Sequence, residues 1–338
     1  GKGSEISSAW ESDVRKLADA FKSTWRNYGT WGNYVNVETG EVAAYNTTGG
    51  AMAVGGMALA SVYYREPAYL SIAREAAKVY YDSFALVGFT SGGCGDILQN
   101  SDSETAAALM TSLMTLYEVT GEKLYLEQSA DLANLCATWT VSFPYRLPKE
   151  TPLARLGAKL TGAVWASTQN KHGAPGFCTQ SGDALFKLYR ATGDTLYAEL
   201  LRDIIHAHAE GIQPDGKISE RLTYCDADHR GSRADGWNTG WNETSGALMA
   251  LEIPGIYLRT DRKSLYVFDH VQAKVVKQGG KSICLQITNP TAYDATVTVL
   301  AEDAEKASLP LGDNAFLKWN RKVTVKAGKT VLYKLKDI

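Results

Sequence analysis

Along the first 260 or so residues, apolar positions recur with helical spacing. "TAAALMTSLMTLY" carries small and apolar side chains on nearly every face, which predicts a helix buried on most sides. A short polar break, Thr120-Gly121-Glu122, follows. The next stretch, "EKLYLEQSADLANLC", is amphipathic with its charges on one side. The same sequence of buried helix, break and amphipathic helix returns in "SGDALFKLYRATGDTLYAELLRDI" from Ser181 and in "GGMALASVYYREPAYLSIAREA" from Gly55. "LYEVTGEKLY" and "LYRATGDTLY" align without a gap, Leu116 against Leu188. Gly121 and Gly193 stand where a left-handed residue closes a helix. A degraded fourth copy begins at Ser245 and puts Ile256-Tyr257 in the Leu-Tyr place. Further helices are expected in "SSAWESDVRKLADAFKSTWRNYG" and near 152–161. From about Arg262 the period changes to two. "SLYVFDHVQAKVVKQ", "KSICLQIT", "DATVTVLAE", "RKVTVKA" and "KTVLYKLK" alternate β-branched with polar residues, which predicts five to seven strands. The expected organisation is a mainly α domain over 1–261 and a small all-β sandwich domain over 262–338.

The spacing of the copies narrows the architecture. Tetratricopeptide-type repeats return about every 34 residues with even loops. Here long, uneven segments rich in Gly, aromatic and polar residues precede the buried helices, at 87–102, 143–180 and 212–242. Loops of that length in a compact domain are commonly functional. The pattern over about residues 5–260 resembles the α/α toroid of six-hairpin glycosidase-like proteins, which include glycoside hydrolases and polysaccharide lyases. In those families the segments leading into the inner helices line the substrate cleft, and a β-sandwich module often accompanies the toroid. The resemblance therefore implies a carbohydrate substrate.

Composition changes this picture little. Among 338 residues, 35 basic side chains meet 37 acidic ones, so the net charge of −2 supplies no electrostatic pull toward nucleic acid or an anionic membrane. No apolar run approaches the roughly 18–20 residues that span a bilayer. No basic-then-apolar signal segment is seen, yet "GKGSE" is compatible with a processed start, and the expected location is secreted or periplasmic. The five cysteines are odd in number and widely spaced, without C-x-x-C, so neither a disulfide framework nor a metal site is expected. G-x-G-x-x-G, G-x-x-x-x-G-K and G-x-S-x-G are all absent, and no cofactor is expected. Oligomeric state is not read from this sequence. Eight Trp and 18 Tyr beside only 8 Phe are the one informative excess, because these rings combine a flat apolar face with a polar handle.

Candidate chemistry lies in the three long segments. In "FTSGGCGDILQNSDSE", Gly92, Gly93 and Gly95 allow close backbone approach to a ligand. Asp96, followed by Ile-Leu, is a candidate general acid. Ser101 and Glu104 read as a capping box. In "VWASTQNKHGAPGF", Trp165, Asn170 and His172 are candidate substrate contacts, with His172 outside any apolar periodicity. Asp183 falls in a buried helix pattern and needs an ionic partner. In "LTYCDADHRGSRADGWNTGWNETSGAL", Tyr224, Arg230, Trp237 and Trp241 are candidate binding residues, and Asp235 and Glu243 candidate catalytic carboxylates. Trp237 and Trp241 are one helical turn apart, and Asn242 reads as a helix cap. The preferred function is a glycoside hydrolase pairing Asp96 with Asp235 or Glu243. The alternatives are a polysaccharide lyase, using groups such as Asn170, His172, Tyr224 and Arg230, or a glycan-binding protein without catalysis.

A narrower resemblance was weighed. "FCTQSGDALFKLYRATGDTLYAELLRDIIHA" is similar to the central helical region of zinc-dependent β-L-arabinofuranosidases. That family carries a Glu where this chain has Gly176, and paired cysteines where Cys225 stands alone. The departure removes the expectation of a zinc–cysteine mechanism.

Overall fold

The computed structural model describes residues 8–93, 97–144, 146–150, 152–155, 157–170, 172–212, 218, 222–224, 240–262, 264–279, 282–310 and 321–336. The chain forms two compact units. One comprises 1–140 with 164–173, the other 141–163 with 174–338.

In the first unit, α1 (Ser8–Tyr28) leads to α2 (Met52–Tyr64), α3 (Pro67–Tyr80), α4 (Ser103–Thr120) and α5 (Lys123–Thr138). The α2–α4 contact uses small residues. A Cβ on Gly55 would stand 3.2 Å from the Cα of Ser112, so a larger residue would force the helices apart. Ser112 Oγ donates to Ala51 O at 2.8 Å and accepts from Gly55 N at 3.1 Å, joining the two helices through a buried hydroxyl. A second core gathers Phe21, Trp25, Trp31 and Tyr80, with Trp25 and Trp31 ring centres 4.9 Å apart and Trp31 Nε1 donating to Phe21 O at 2.8 Å.

The second unit contains α6 (Pro152–Arg155), α7 (Asp183–Thr192), α8 (Thr195–Glu210) and α9 (Gly240–Glu252). The helix expected near 152–161 is thus a single turn. Two short strands, β1 (Val164–Trp165) and β2 (His172–Ala174), fall in the 164–173 segment of the first unit except for Ala174, and β3 (Thr223–Tyr224) precedes α9 in the second.

Seven further strands follow among the described residues: β4 (Ile256–Arg259), β5 (Ser264–Val267), β6 (Gln272–Gly279), β7 (Ser282–Thr288), β8 (Ala295–Glu302), β9 (Arg321–Val325) and β10 (Thr330–Lys336), with a short helix α10 (Ala304–Ser308). They form a three-stranded sheet ordered β10-β7-β6 and a four-stranded sheet ordered β5-β4-β8-β9, antiparallel except for the parallel β4–β8 pair. Ile256, Leu258, Val297 and Val299 of one sheet share a core with Ile283, Leu285, Ile287 and Leu335 of the other. The fourth helical copy therefore ends after α9. Ile256-Tyr257 opens a strand instead of a second helix.

The three helical hairpins share one connector. Arg65-Glu66, Gly121-Glu122 and Gly193-Asp194 each place a left-handed residue before an extended one. The two aligned copies repeat atom for atom. Thr120 and Thr192 donate to the carbonyls of Leu116 and Leu188 at 2.7 Å, and each hydroxyl accepts the N–H two residues on at 3.1 Å. Gly121 and Gly193 both return their N–H to a Tyr carbonyl, as the Thr-Gly-acid signature predicts. Arg65, at φ 55°, adopts the same conformation with a side chain.

Aromatic packing and a buried ion pair join α7 to the strands. Phe186 meets Tyr257 and Phe268 edge-on, with centres 5.2 and 5.7 Å apart. Arg190 grips Glu302 through Nε at 2.7 Å and Nη2 at 2.9 Å, and its remaining donors reach the carbonyls of Lys306 and Leu309. Both side chains are about 5% exposed. At the other end of α8, His206 stacks on His270 with ring centres 4.2 Å apart, and His208 Nε2 bonds Asn242 O at 2.9 Å.

Three outcomes are expected. A side chain in the left-handed region costs about 1–2 kcal/mol. Nothing lies within 4 Å of a Cβ built on Gly121, so Gly121→Ala should lower stability by backbone strain alone, whereas Arg65→Gly should raise it. Denaturant titrations of both variants measure this. Removing one partner of a buried ion pair costs about 3–5 kcal/mol, whereas replacing both by apolar residues recovers much of the loss. Arg190→Met should therefore lower the melting temperature, and adding Glu302→Leu should restore most of it. Burial depresses the pKa of His206 and of His208, and His270 adds to the effect at His206. The unfolded chain takes up these protons near pH 6.5, before the folded chain does, so stability falls as pH drops from about 7 through the depressed values. Melting curves between pH 7.5 and 5.5 should show this decline, with a shallower slope in His208→Gln.

Candidate functional site

In the first unit, the segments around the start of α4 are laced by hydrogen bonds. Thr48 and Ser91 exchange backbone and hydroxyl bonds, including Ser91 N to Thr48 Oγ1 at 2.7 Å. Asp102 N donates to Thr90 O at 3.0 Å, and Ser103 N donates to Ala166 O at 3.0 Å. Asp102, only 1% exposed, is the N-cap of α4. One carboxylate oxygen accepts from Thr105 N at 2.7 Å and Thr105 Oγ1 at 2.8 Å, and the other from Gly93 N at 2.9 Å. This replaces the expected Ser101–Glu104 capping box. Ser101 instead pairs with Ser91 and offers its carbonyl to Thr168 N at 3.0 Å.

The glycines of this loop serve the protein's own side chains. A Cβ on Gly93 would lie 3.2 Å from the Asp102 carboxylate. One on Gly92, at φ +102°, would lie 2.8 Å from Asn33 Oδ1, which also closes on Gly49. Asn33 thus occupies space that sequence reasoning reserved for a ligand. Gly95 and Asp96 lie outside the described residues. Their two neighbours are both held, Gly93 by Asp102 and Ile97 by Gln169, whose Oε1 accepts Ile97 N at 2.8 Å.

Trp165 is half-buried on β1, its N–H bonded to Trp139 O at 2.7 Å. Asn170 is exposed, with its N–H on Ser167 Oγ at 2.9 Å. His172 is buried in β2, where its carbonyl accepts Ala166 N at 3.0 Å. Strand pairing, which has no helical period, hides it. Sequence reasoning passed over the segment before Thr47. Asn36 Oδ1 accepts from Glu38 N and Thr39 N, Gly40 takes φ +71°, and Val35 pairs with Val42, closing a small hairpin. The Asn and Gly around "VETG" were its available signal. The hairpin and the Phe89 loop expose Tyr34, Tyr45 and Phe89 by 53, 44 and 41%.

In the second unit, α9 begins at Gly240, so Asn242 lies inside its first turn and does not cap it. Asn242 is buried, its carbonyl bonds His208, and its Nδ2 has no hydrogen-bond partner among the described residues. Trp241 is partly exposed. Glu243 is exposed, with Oε1 3.5 Å from Ile218 N. Arg230, Asp235 and Trp237 lie outside the described residues, as does the side chain of Tyr224. Asp183 has the ionic partner its position demands, Lys187 Nζ at 2.9 Å. Glu252, which the sequence reading did not select, accepts from Ser181 Oγ at 2.5 Å, and burial raises its pKa. Gly176, at φ +105°, would put a Cβ 3.1 Å from Met249 Cε, so a Glu is strained there.

Burial pushes the thiol of Cys136 up to about 12, which makes it a packing residue at neutral pH. No three His, Cys, Asp or Glu side chains among the described residues are grouped to hold a metal ion. No described helix is long and apolar enough to cross a membrane.

No protein-family model matches the chain, and no curated protein matches its sequence. Solved structures similar in part include a glycoside hydrolase family 76 α-mannanase of Bacteroides thetaiotaomicron, with 13% identity over 61% of this chain and 52% of that one and a TM-score of 0.42. An unsaturated glucuronyl hydrolase from Streptococcus agalactiae is 15% identical over 65% of this chain and 50% of its own, with a TM-score of 0.46. A D-mannose isomerase is 12% identical over 71% and 68%, also at 0.46. The matches to the first two span about half the length of those chains.

Proposed function

We propose that this chain is a carbohydrate-processing enzyme, specifically a glycoside hydrolase acting on a poly- or oligosaccharide. The observation that carries the reading is the loop cluster at the start of α4. Short hydroxyl and amide side chains are laced there into a fixed frame, and its loops also carry exposed Tyr34, Tyr45 and Phe89. A sugar ring has an apolar C–H face and a rim of hydroxyls, so exposed rings beside polar loops suit it. Asp96 is the proposed general acid, and the described residues on either side of 94–96, Gly93 and Ile97, are hydrogen-bonded to Asp102 and Gln169. Glycoside hydrolysis needs a second carboxylate as base or nucleophile. Asp235 and Glu243 are the candidates for that role. Trp165, Asn170, His172, Tyr224, Arg230, Trp237 and Trp241 remain the proposed binding set, with Tyr34 and Tyr45 added to it.

The test is incubation with a panel of plant and host polysaccharides, followed by mass spectrometry. Hydrated fragments are expected. Asp96→Asn should then reduce kcat by about 10²–10⁴-fold, the range for a general acid, with the fold intact by circular dichroism. Either Asp235→Asn or Glu243→Gln should give a comparable loss, and Tyr34→Ala should mainly raise KM. Unsaturated fragments would replace the hydrolase with a lyase. Retention of a glycan without cleavage would leave a binding protein.

A further inference from the structure

Outside the α4 loops, the second unit contains a half-open crevice of about 280 Å³ where α8 and α9 meet the strands. That is near the lower end of small-molecule sites, roughly 300 Å³ and above, so its occupant is of fragment size. The wall is mostly apolar, supplied by Ile205, Ile212, Met249 and Ile253. Two of its polar groups, Asp269 and His208, offer acceptors. Asp269 lines the crevice, and one of its oxygens accepts the adjacent His270 N–H at 2.6 Å. Among the described residues no lysine or arginine is ion-paired with it. His208 also lines the crevice. Because Asn242 O accepts from its Nε2, the neutral ring carries its proton there and Nδ1 is an acceptor.

A carboxylate beside an apolar wall, with His270 beside it and no lysine or arginine paired to it among the described residues, is costly unless a further counter-charge arrives. Burial accordingly raises the pKa of Asp269. We propose that this crevice binds a small organic ammonium ion, its charged head on Asp269 and its apolar body against Ile205, Ile212 and Met249. The Asp269 carboxylate disfavours carboxylates and other anions. The site is independent of the carbohydrate reading.

Isothermal titration of the full chain at pH 7.5 with benzylammonium, benzyl alcohol and benzoate tests the proposal. At that pH the ammonium carries its charge, and the histidines that line or adjoin the crevice are His206, His208 and His270. Benzylammonium should bind at least about tenfold more tightly than benzyl alcohol, and benzoate should give no heat. Asp269→Asn should remove that preference. Ala250→Leu fills the crevice from an exposed position on α9 without touching Asp269, so it should abolish binding while leaving the melting temperature near that of the parent. It also decides the matter if Asp269→Asn fails to fold. Absence of benzylammonium binding, equal binding of the alcohol, or undiminished binding in Ala250→Leu would overturn the proposal.

Discussion

Arg190 and Glu302 are far apart in sequence and nearly sealed from water, and the architecture of the second unit turns on them. A guanidinium carries five donors in a rigid fork. Here two bonds meet the carboxylate and two meet the Lys306 and Leu309 carbonyls, so four of the five donors of the desolvated charge are bonded. Glu302 ends β8, and β8 lies parallel to β4 in a register set by Ile256 against Val299. Tyr257 of β4 rests on Phe186 and Tyr189 of α7, the helix that carries Arg190. The ion pair and the aromatic contacts therefore close a loop of mutual constraint. Apolar packing alone would tolerate sliding along the sheet, whereas a forked ion pair permits one position.

Much of this fold is legible in the sequence because its rules are local. Helical spacing identifies α2, α4, α5, α7 and α8, and Thr-Gly-acid identifies two of the three connectors. Alternation identifies the strands after residue 262. The strand just before them, β4, escapes for a physical reason. Ile256, Tyr257, Leu258 and Arg259 are all buried, so the strand shows no alternation. A short run buried on both faces cannot be told from a piece of buried helix by periodicity. The hairpin around Asn36 escapes because a brief turn between short pairing segments has too few residues to establish a period.

The candidate site is legible only in outline. Composition marks the segments ahead of α4, α7 and α9 as unusual, and the described parts of them do carry exposed polar and aromatic groups. The fine assignments depend on contacts that spacing cannot express. Gly92 is small because Asn33, fifty-nine residues earlier, packs against it. Ser101 fits a capping box as well as Asp102 fits a cap, and the choice is made by Gly93 and Thr105, which together satisfy both oxygens of the aspartate. Asn242 looks like a cap because it precedes an apolar run, but the helix starts two residues earlier and uses the Asn242 carbonyl as a partner for His208.

The shared connector has a consequence for how such a chain diversifies. Its hydrogen bonds run from threonine to the preceding turn and from the next N–H back to the same hydroxyl, entirely within a few residues. A duplicated hairpin thus inherits a complete joint that needs nothing from its surroundings. The position two residues before the threonine is under no such obligation, and there the copies differ in the sign of their charge, Glu118 in one and Arg190 in the other. With the joint self-contained, that neighbouring position can carry either sign of charge without disturbing it, and in one copy its arginine binds Glu302 on a strand.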